Sequence, residues 1–207
     1  MDPGRRNLLY VGGGLMIGGI LGIPVGFIAG VAISQDEDSG SINGVLRAGS
    51  AAPDFTLNDF KGIEHTLSQY RRMPVVINFW ESWCLPCRSE MPTINQFVEA
   101  YQGRVKVLAI TEDQSQNSSS YLKERGLDSI TCLLDTDGKV MKKYIKTDIP
   151  TTYIIDSDGT IVAIQIGSGD FMNPNMIVRK TIDNILTQSE KHNTKPQKPD
   201  LSRIKVA

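Results

Sequence analysis

The sequence predicts an α/β domain, a mixed central sheet flanked by helices, and three observations point to it. The largely apolar runs Val75–Trp80 and Val105–Thr111 are too dry on both faces for anything but buried parallel strands. Helix-like segments alternate with the strand-like runs. Near the end, Asp156-Ser157-Asp158-Gly159 is a strong hairpin signal between two strand-like runs. Strand–helix alternation that finishes in a hairpin and a helix gives that layered architecture.

Residues 34–48 are polar, acidic and Gly/Ser-containing, as a tether should be, so the folded region begins at Gly49. Phe55-Thr56-Leu57 and Glu64-His65-Thr66 read as short strands around a turn with Lys61-Gly62, an N-terminal β-hairpin extension. After Val75–Trp80, a helix starts around Cys84 and runs towards Tyr101, with Gly103 beyond its end. The Ser/Asn/Gln-rich stretch after Thr111 reads as a loop, Ser118–Arg125 as a helix stopped by Gly126, and Ile130–Leu134 as a short strand. Asp137-Gly138 turns the chain into a brief helix containing Val140 and Tyr144. Thr151–Ile155 and Thr160–Ile166 are the hairpin strands. Asn175–Leu186 closes the domain, with Met176, Ile177, Ile182, Ile185 and Leu186 available for an apolar face. The domain is expected over 49–188. Beyond it, 189–207 carry Lys191, Lys195, Lys198, Arg203 and Lys205 against Glu190 and Asp200, and read as a disordered basic tail.

Composition argues against one class of partner. The 207 residues carry a net charge of -1 and no basic stripe interleaved with aromatics, so nucleic acid is not expected. The N-terminus is a different kind of sequence. Leu8–Ile33 contains no charged residue, and as a helix it would span about 39 Å, enough to cross a bilayer core of about 30 Å with tilt. Arg5 and Arg6 precede it and Asp36, Glu37 and Asp38 follow, which puts residues 1–7 in the cytoplasm and the domain outside. A cleaved signal peptide is the rival reading, with Gly30-Val31-Ala32 offering cleavage before Ile33. The run exceeds a usual signal core of about 7–15 residues, which favours a retained transmembrane anchor over 8–33. Either way the domain is exported. Gly14, Gly18, Gly22, Gly26 and Gly30 recur every fourth residue, a spacing that lets a second helix pack closely; a merely glycine-rich span is the plain alternative.

The chemistry gathers at Trp83-Cys84-Leu85-Pro86-Cys87, directly after an apolar strand. Two cysteines at this spacing at a helix start can close a small disulfide and reopen it, carrying two electrons without any cofactor. Zinc sites use the same spacing. Here there are only three cysteines and two histidines, Cys132 is solitary, and His65 and His192 have no ligand spacing to the pair. A closed four-ligand metal site therefore has too few obvious ligands, and redox chemistry leads.

Trp83-Cys84-Leu85-Pro86-Cys87, with Pro92 further along the helix and Ile149-Pro150-Thr151 before a strand, resembles the thioredoxin fold. Ala52-Pro53-Asp54-Phe55-Thr56-Leu57 and Arg88-Ser89-Glu90-Met91-Pro92 narrow the resemblance. Together they look like membrane-anchored, extracytoplasmic thioredoxin-like proteins of the TlpA/ResA/CcmG type, with an AhpC-TSA-like domain, over roughly Gly49–Leu186. At the helix N-terminus Cys84 is expected to be the attacking thiolate, because the helix dipole favours an anion there. Cys87, one turn deeper, is expected to resolve the mixed disulfide. Trp83 and Pro86 support the motif. The resemblance implies that Pro150 is a cis-proline facing the disulfide and that Pro92 kinks the helix. It also implies that Glu90, three residues after Cys87, tunes thiol ionisation; a charge merely favourable in the first turns is the alternative. Asn78 departs from cytoplasmic thioredoxin, which usually has a buried aspartate there. Cys132 reads as a small buried side chain.

These residues imply an exported thiol–disulfide oxidoreductase that reduces protein disulfides. Its electrons would come from a membrane thiol carrier of the CcdA or DsbD type, and apocytochrome c is the family's best-known substrate class. A disulfide oxidase or isomerase is the alternative within redox chemistry; oxidants lie near about -120 mV and thioredoxin near about -270 mV. A Sco-type copper chaperone is the alternative of another class. It is disfavoured because that family separates its cysteines by three residues and uses a distant histidine. A peroxiredoxin would need Thr or Ser where this chain has Glu81.

Overall fold

In the computed structural model, which describes residues 46–145 and 148–193, the expected alternation becomes one seven-stranded mixed sheet. In chain order the elements are β1 (Thr56–Asp59), β2 (Glu64–Thr66), a 3-10 turn (Leu67–Tyr70), β3 (Val75–Phe79), α1 (Leu85–Ala100), β4 (Lys106–Thr111), α2 (Ser115–Glu124), β5 (Thr131–Leu134), α3 (Lys139–Tyr144), β6 (Thr151–Ile155), β7 (Ile161–Ile166) and α4 (Ile177–Asn193). The anchor and its glycines, the first residues of the linker, and the chain beyond 193 lie outside the described residues. Among the described residues no helix is long and apolar enough to cross a membrane.

Across the sheet the order is β2-β1-β5-β4-β3-β6-β7. The central strands β3, β4 and β5 are parallel, and β6 and β7 continue antiparallel on the β3 side. On the other side the β1–β2 hairpin joins β5 antiparallel, which is the expected N-terminal extension. The β6–β7 turn forms where it was expected. Asp156 Oδ1 accepts the backbone N–H groups of Asp158 and Thr160, and Gly159 takes φ 83°, a left-handed conformation that disfavours side chains.

Every residue of β3 is buried, and alternation sends its side chains to two separate cores. Val76 and Trp80 pack with α1, α2 and α4, through Met91, Ile94, Phe97, Tyr121 and Ile182. Val75, Ile77 and Phe79 pack on the other face with α3 and the segment before β1, through Val140, Tyr144 and Phe55. Each such side chain contributes about 1.5–3 kcal/mol when fully buried. The active-site helix thus rests on a sheet that is dry on both sides.

The structure corrects the reading of two helices. α2 starts at Ser115, three residues earlier than Ser118, so part of the Ser/Asn/Gln-rich stretch is helical. Its serines turn their hydroxyls back onto the preceding turn, as Ser118 Oγ does to Gln114 O, and so look loop-like in composition. α4 runs to Asn193, past the expected end at Leu186 and into the segment expected to be a disordered tail. Its apolar stripe is Val178, Ile182, Ile185 and Leu186, a helical spacing, while Ile177 is exposed.

Candidate active site

β3 ends at Phe79 and the chain reaches α1 through Trp80-Glu81-Ser82-Trp83, so the first turn of the helix sits at the carboxyl end of the central strands. Cys84 is the N-cap of α1, and Pro86 lies in the first turn, where its missing N–H has no intrahelical partner to lose. The N–H of Cys87 donates to Cys84 Sγ at 3.2 Å, so the sulfur occupies the anion position of the helix terminus. Cys84 and Cys87 are joined in a disulfide. Cys87 is completely inaccessible whereas Cys84 keeps 6% of its surface, and Trp83 beside it is 70% exposed.

Across from this disulfide, the Ile149–Pro150 peptide bond is cis, and the Ile149 carbonyl oxygen lies 4.0 Å from Cys84 Sγ. Pro150 leads directly into β6, whose Thr151 pairs with Phe79. The sheet register therefore brings residues 65 positions apart to the same sulfur. An open cleft beside them is lined by Trp83, Ile149, Asp148, Glu81, Glu112 and Asp113.

Glu90 lies one turn after Cys87 on α1 and is 2% exposed. Burial pushes its carboxyl up to about 7, opposed by hydrogen bonds from the Asn78 side chain and the Gly169 backbone. Asn78 Nδ2 donates to Glu90 Oε1 at 2.8 Å, and Gly169 N–H donates to Oε2 at 2.9 Å. A carboxyl that ionises near neutrality, one turn from the inner sulfur, can hold or release a proton during thiol chemistry. The structure thus brings Cys84, Trp83 and the cis Ile149–Pro150 bond together, with Cys87 sealed and Glu90 one turn further along α1.

Several residues that shape this site carry no local signature. Glu81 is 5% exposed and accepts from Thr111 Oγ1 and from the Glu112 N–H, both at 2.9 Å. Burial raises its pKa, and the nearby Asp113 and Glu112 charges add to the rise. Asp113 accepts from both the N–H and the hydroxyl of Ser82. These bonds tie the turn before Cys84 to the loop after β4. Tyr121 answers the proline inside α1: Pro92 has no N–H for the Arg88 carbonyl, and the Tyr121 hydroxyl donates to that carbonyl at 3.1 Å. The Arg88 guanidinium stacks over the same ring at 5.1 Å. Cys132 is buried and free, and burial pushes its thiol up to about 12, which leaves it inert. His65 belongs to the hairpin, bonded to Tyr70 and Asp59.

A mixed sheet with a Cys-x-x-Cys disulfide capping its central helix and a cis-proline opposite defines the class of thioredoxin-like redox proteins. Comparison with known proteins then gives the family: residues 48–164 match the AhpC/TSA family, and the chain belongs to it. It is 38% identical over 124 residues to the thiol-disulfide oxidoreductase ResA of Geobacillus kaustophilus, covering 59% of this chain and 71% of that protein. Similarity to ResA of Bacillus subtilis extends over 177 residues at 28% identity, covering 82% of this chain and 94% of that one. Among solved structures, the exposed lipoprotein thioredoxin of Streptococcus pneumoniae superimposes with a TM-score of 0.56 at 25% identity, covering 64% of this chain and 99% of that one.

Proposed function

We propose that this thiol–disulfide oxidoreductase works outside the cytoplasm as a reductase of protein disulfides. The observation that carries the reading is the asymmetric disulfide at the N-terminus of α1, with a small part of Cys84 still accessible, Cys87 sealed, and the cis Ile149–Pro150 backbone alongside. In the reduced protein the Cys84 thiolate attacks one sulfur of a substrate disulfide. A Cys84–substrate S–S bond forms, the substrate S–S bond breaks, and the first substrate thiolate leaves. The Cys87 thiolate then attacks Cys84 Sγ, forming the Cys84–Cys87 bond seen here and expelling the second substrate thiolate. The substrate gains two electrons and the dithiol loses two. Glu90 takes up and returns the Cys87 proton, and the backbone before Pro150 pairs with the substrate chain. Trp83 and the carboxylate-lined cleft form the surface around the attacked bond.

The rest of the reading follows from the sequence. The charge-free run at 8–33 anchors the domain outside the membrane, with residues 1–7 in the cytoplasm. The glycine stripe pairs the anchor with another helix. The likeness to a lipoprotein described as exposed agrees with that location. Electrons return to Cys84–Cys87 from a membrane thiol carrier of the CcdA or DsbD type; apocytochrome c is one substrate class this reading admits, beside a general reduction of exported protein disulfides. Trapping tests the assignment: full-length Cys87→Ser should accumulate mixed disulfides through Cys84, which a Cys84→Ser, Cys87→Ser double variant should lack. Equal capture by both variants, or a reduction potential near the oxidant value of about -120 mV, would overturn the reductase assignment.

A further inference from the structure

Asn78 is fully buried, and its amide nitrogen stands between two partners, Glu90 Oε1 at 2.8 Å and Thr152 Oγ1 at 3.0 Å. Its amide oxygen is buried and has no hydrogen-bond partner among the described residues. Leaving such an acceptor unpaired costs about 1–3 kcal/mol. The amide is therefore held in its present orientation only from the nitrogen end. Asn78 and Thr152 are directly paired on β3 and β6, so the sheet fixes their spacing. The other Glu90 oxygen, Oε2, accepts the backbone N–H of Gly169. A backbone N–H cannot turn round to accept, so a proton taken up by this carboxyl belongs on Oε1. There it confronts the N–H of Asn78, donor against donor.

We propose that Asn78 is a two-position amide that turns over when Glu90 gains or loses its proton. With Glu90 ionised, the amide nitrogen donates to Glu90 and to Thr152, as observed. When a proton from solvent or from a site thiol bonds to Oε1, the amide rotates half a turn and its oxygen accepts the new O–H. The Thr152 hydroxyl, which can donate as well as accept, then rotates to donate to the same oxygen. Only the proton is transferred; no bond between heavy atoms changes. Each position makes two bonds at the Glu90 end; the first leaves the amide oxygen unpaired and the second leaves the amide N–H groups unpaired, so the second is held only while the proton is on Glu90. Aspartate would oppose the ionised carboxylate, and an apolar residue would leave Oε1 unpaired in both states.

Around Glu90 stand Asn78 and, behind it, Thr152 from the sheet, Gly169 from the segment after β7, and Cys87 on its own helix. Of the titratable groups nearby, Cys84 and Cys87 are in the disulfide, and Asp170 turns its carboxylate to the Met172 N–H. Asn78 is thus a positioning residue that serves both protonation states of the buried acid. This goes beyond the reductase reading and holds whichever way electrons flow.

The test is NMR of the oxidised full-length chain with labelled Asn78, across pH values on both sides of about 7. Cross-peaks between the Asn78 amide protons and the Thr152 methyl are expected on the alkaline side and lost on the acid side, with the midpoint of the Glu90 carboxyl carbon. In Glu90→Gln the Gly169 N–H orients the new amide with its nitrogen towards Asn78, so the acid pattern should persist at every pH. Cross-peaks that survive the whole wild-type titration overturn the proposal, as does an alkaline pattern in a folded Glu90→Gln protein. The wild-type titration decides alone if that variant does not fold.

Discussion

Glu81 and Glu90 stand symmetrically about the redox turn, three residues before Cys84 and three after Cys87, and both are almost wholly buried. In both, burial is the leading cause of a raised pKa. Their partners separate them. Glu81 accepts from a hydroxyl and a backbone N–H in the next loop, with the Asp113 and Glu112 charges close by. Around Glu90 no neighbouring charge among the described residues contributes; its donors are one fixed backbone N–H and the Asn78 amide, which we propose can turn. Equal burial therefore supports two different jobs. Glu81 is a clamp between loops, and Glu90 is the group we propose as proton carrier, because only its surroundings can adapt to both states.

The largest effect that would break this contrast is in the pH dependence of stability. The Glu90 carboxyl is raised from 4.5 to about 7 in the folded protein, so between those values the folded state holds more of the proton than the unfolded state does. Stability then falls as pH rises through that window, is highest below it and levels off above it. The full difference is about 3 kcal/mol. Glu81 is raised as well, so the wild-type curve alone does not isolate Glu90. Urea midpoints of wild type and Glu90→Gln should agree near pH 4.5 and diverge towards about pH 7, the variant becoming the more stable. A constant gap across that range would break the assignment of Glu90 as the ionising group.

Next in size is the clamp. Glu81→Ala leaves the Thr111 hydroxyl and the more exposed Glu112 N–H without their carboxylate, and the unpaired buried Thr111 hydroxyl costs about 1–3 kcal/mol. The Ser82–Asp113 bonds remain, so the fold should survive with a lower thermal midpoint and a more reducible, less well placed Cys84. Thermal melting and the rate of Cys84–Cys87 reduction by a small thiol read both consequences. An unchanged melting curve would reduce Glu81 to a bystander and sharpen the case that only Glu90 matters.

What the sequence disclosed and what it hid divide along the same line. The Cys84–Cys87 pair was legible because one helix places both at a fixed local spacing, whereas the cis bond at Pro150 and the interest in Glu90 came only through the family resemblance. Strand runs such as Val75–Phe79 were legible because full burial leaves no polar alternation. Glu81, Ser82 and Asp113 were not, since their bonds link residues about 30 positions apart, a distance at which spacing says nothing. Gly169 reaches Glu90 across 79 positions, and Thr152 reaches Asn78 across 74. The overlong α4 was hidden for another reason: its last turns carry little apolar pattern, and charge there reads as tail.

The smallest effect concerns the helix that carries both the sulfurs and Glu90. Pro92 deprives the Arg88 carbonyl of its helical donor, and the Tyr121 hydroxyl replaces it from α2. Tyr121→Phe should therefore destabilise by about 1 kcal/mol, the net worth of one neutral hydrogen bond. In a Pro92→Ala background the restored backbone N–H at position 92 can reach the Arg88 carbonyl, and the same Tyr121→Phe change should then have almost no effect. A double-mutant cycle on denaturant midpoints measures that coupling directly. Additive losses would mean that the hydroxyl stabilises α2 or the Arg88 stacking rather than the broken helix turn. A cycle that closes with the full coupling would show that α1 is held to α2 at the turn between Cys87 and Glu90, so the alignment of thiol and acid depends on a residue the redox motif does not contain.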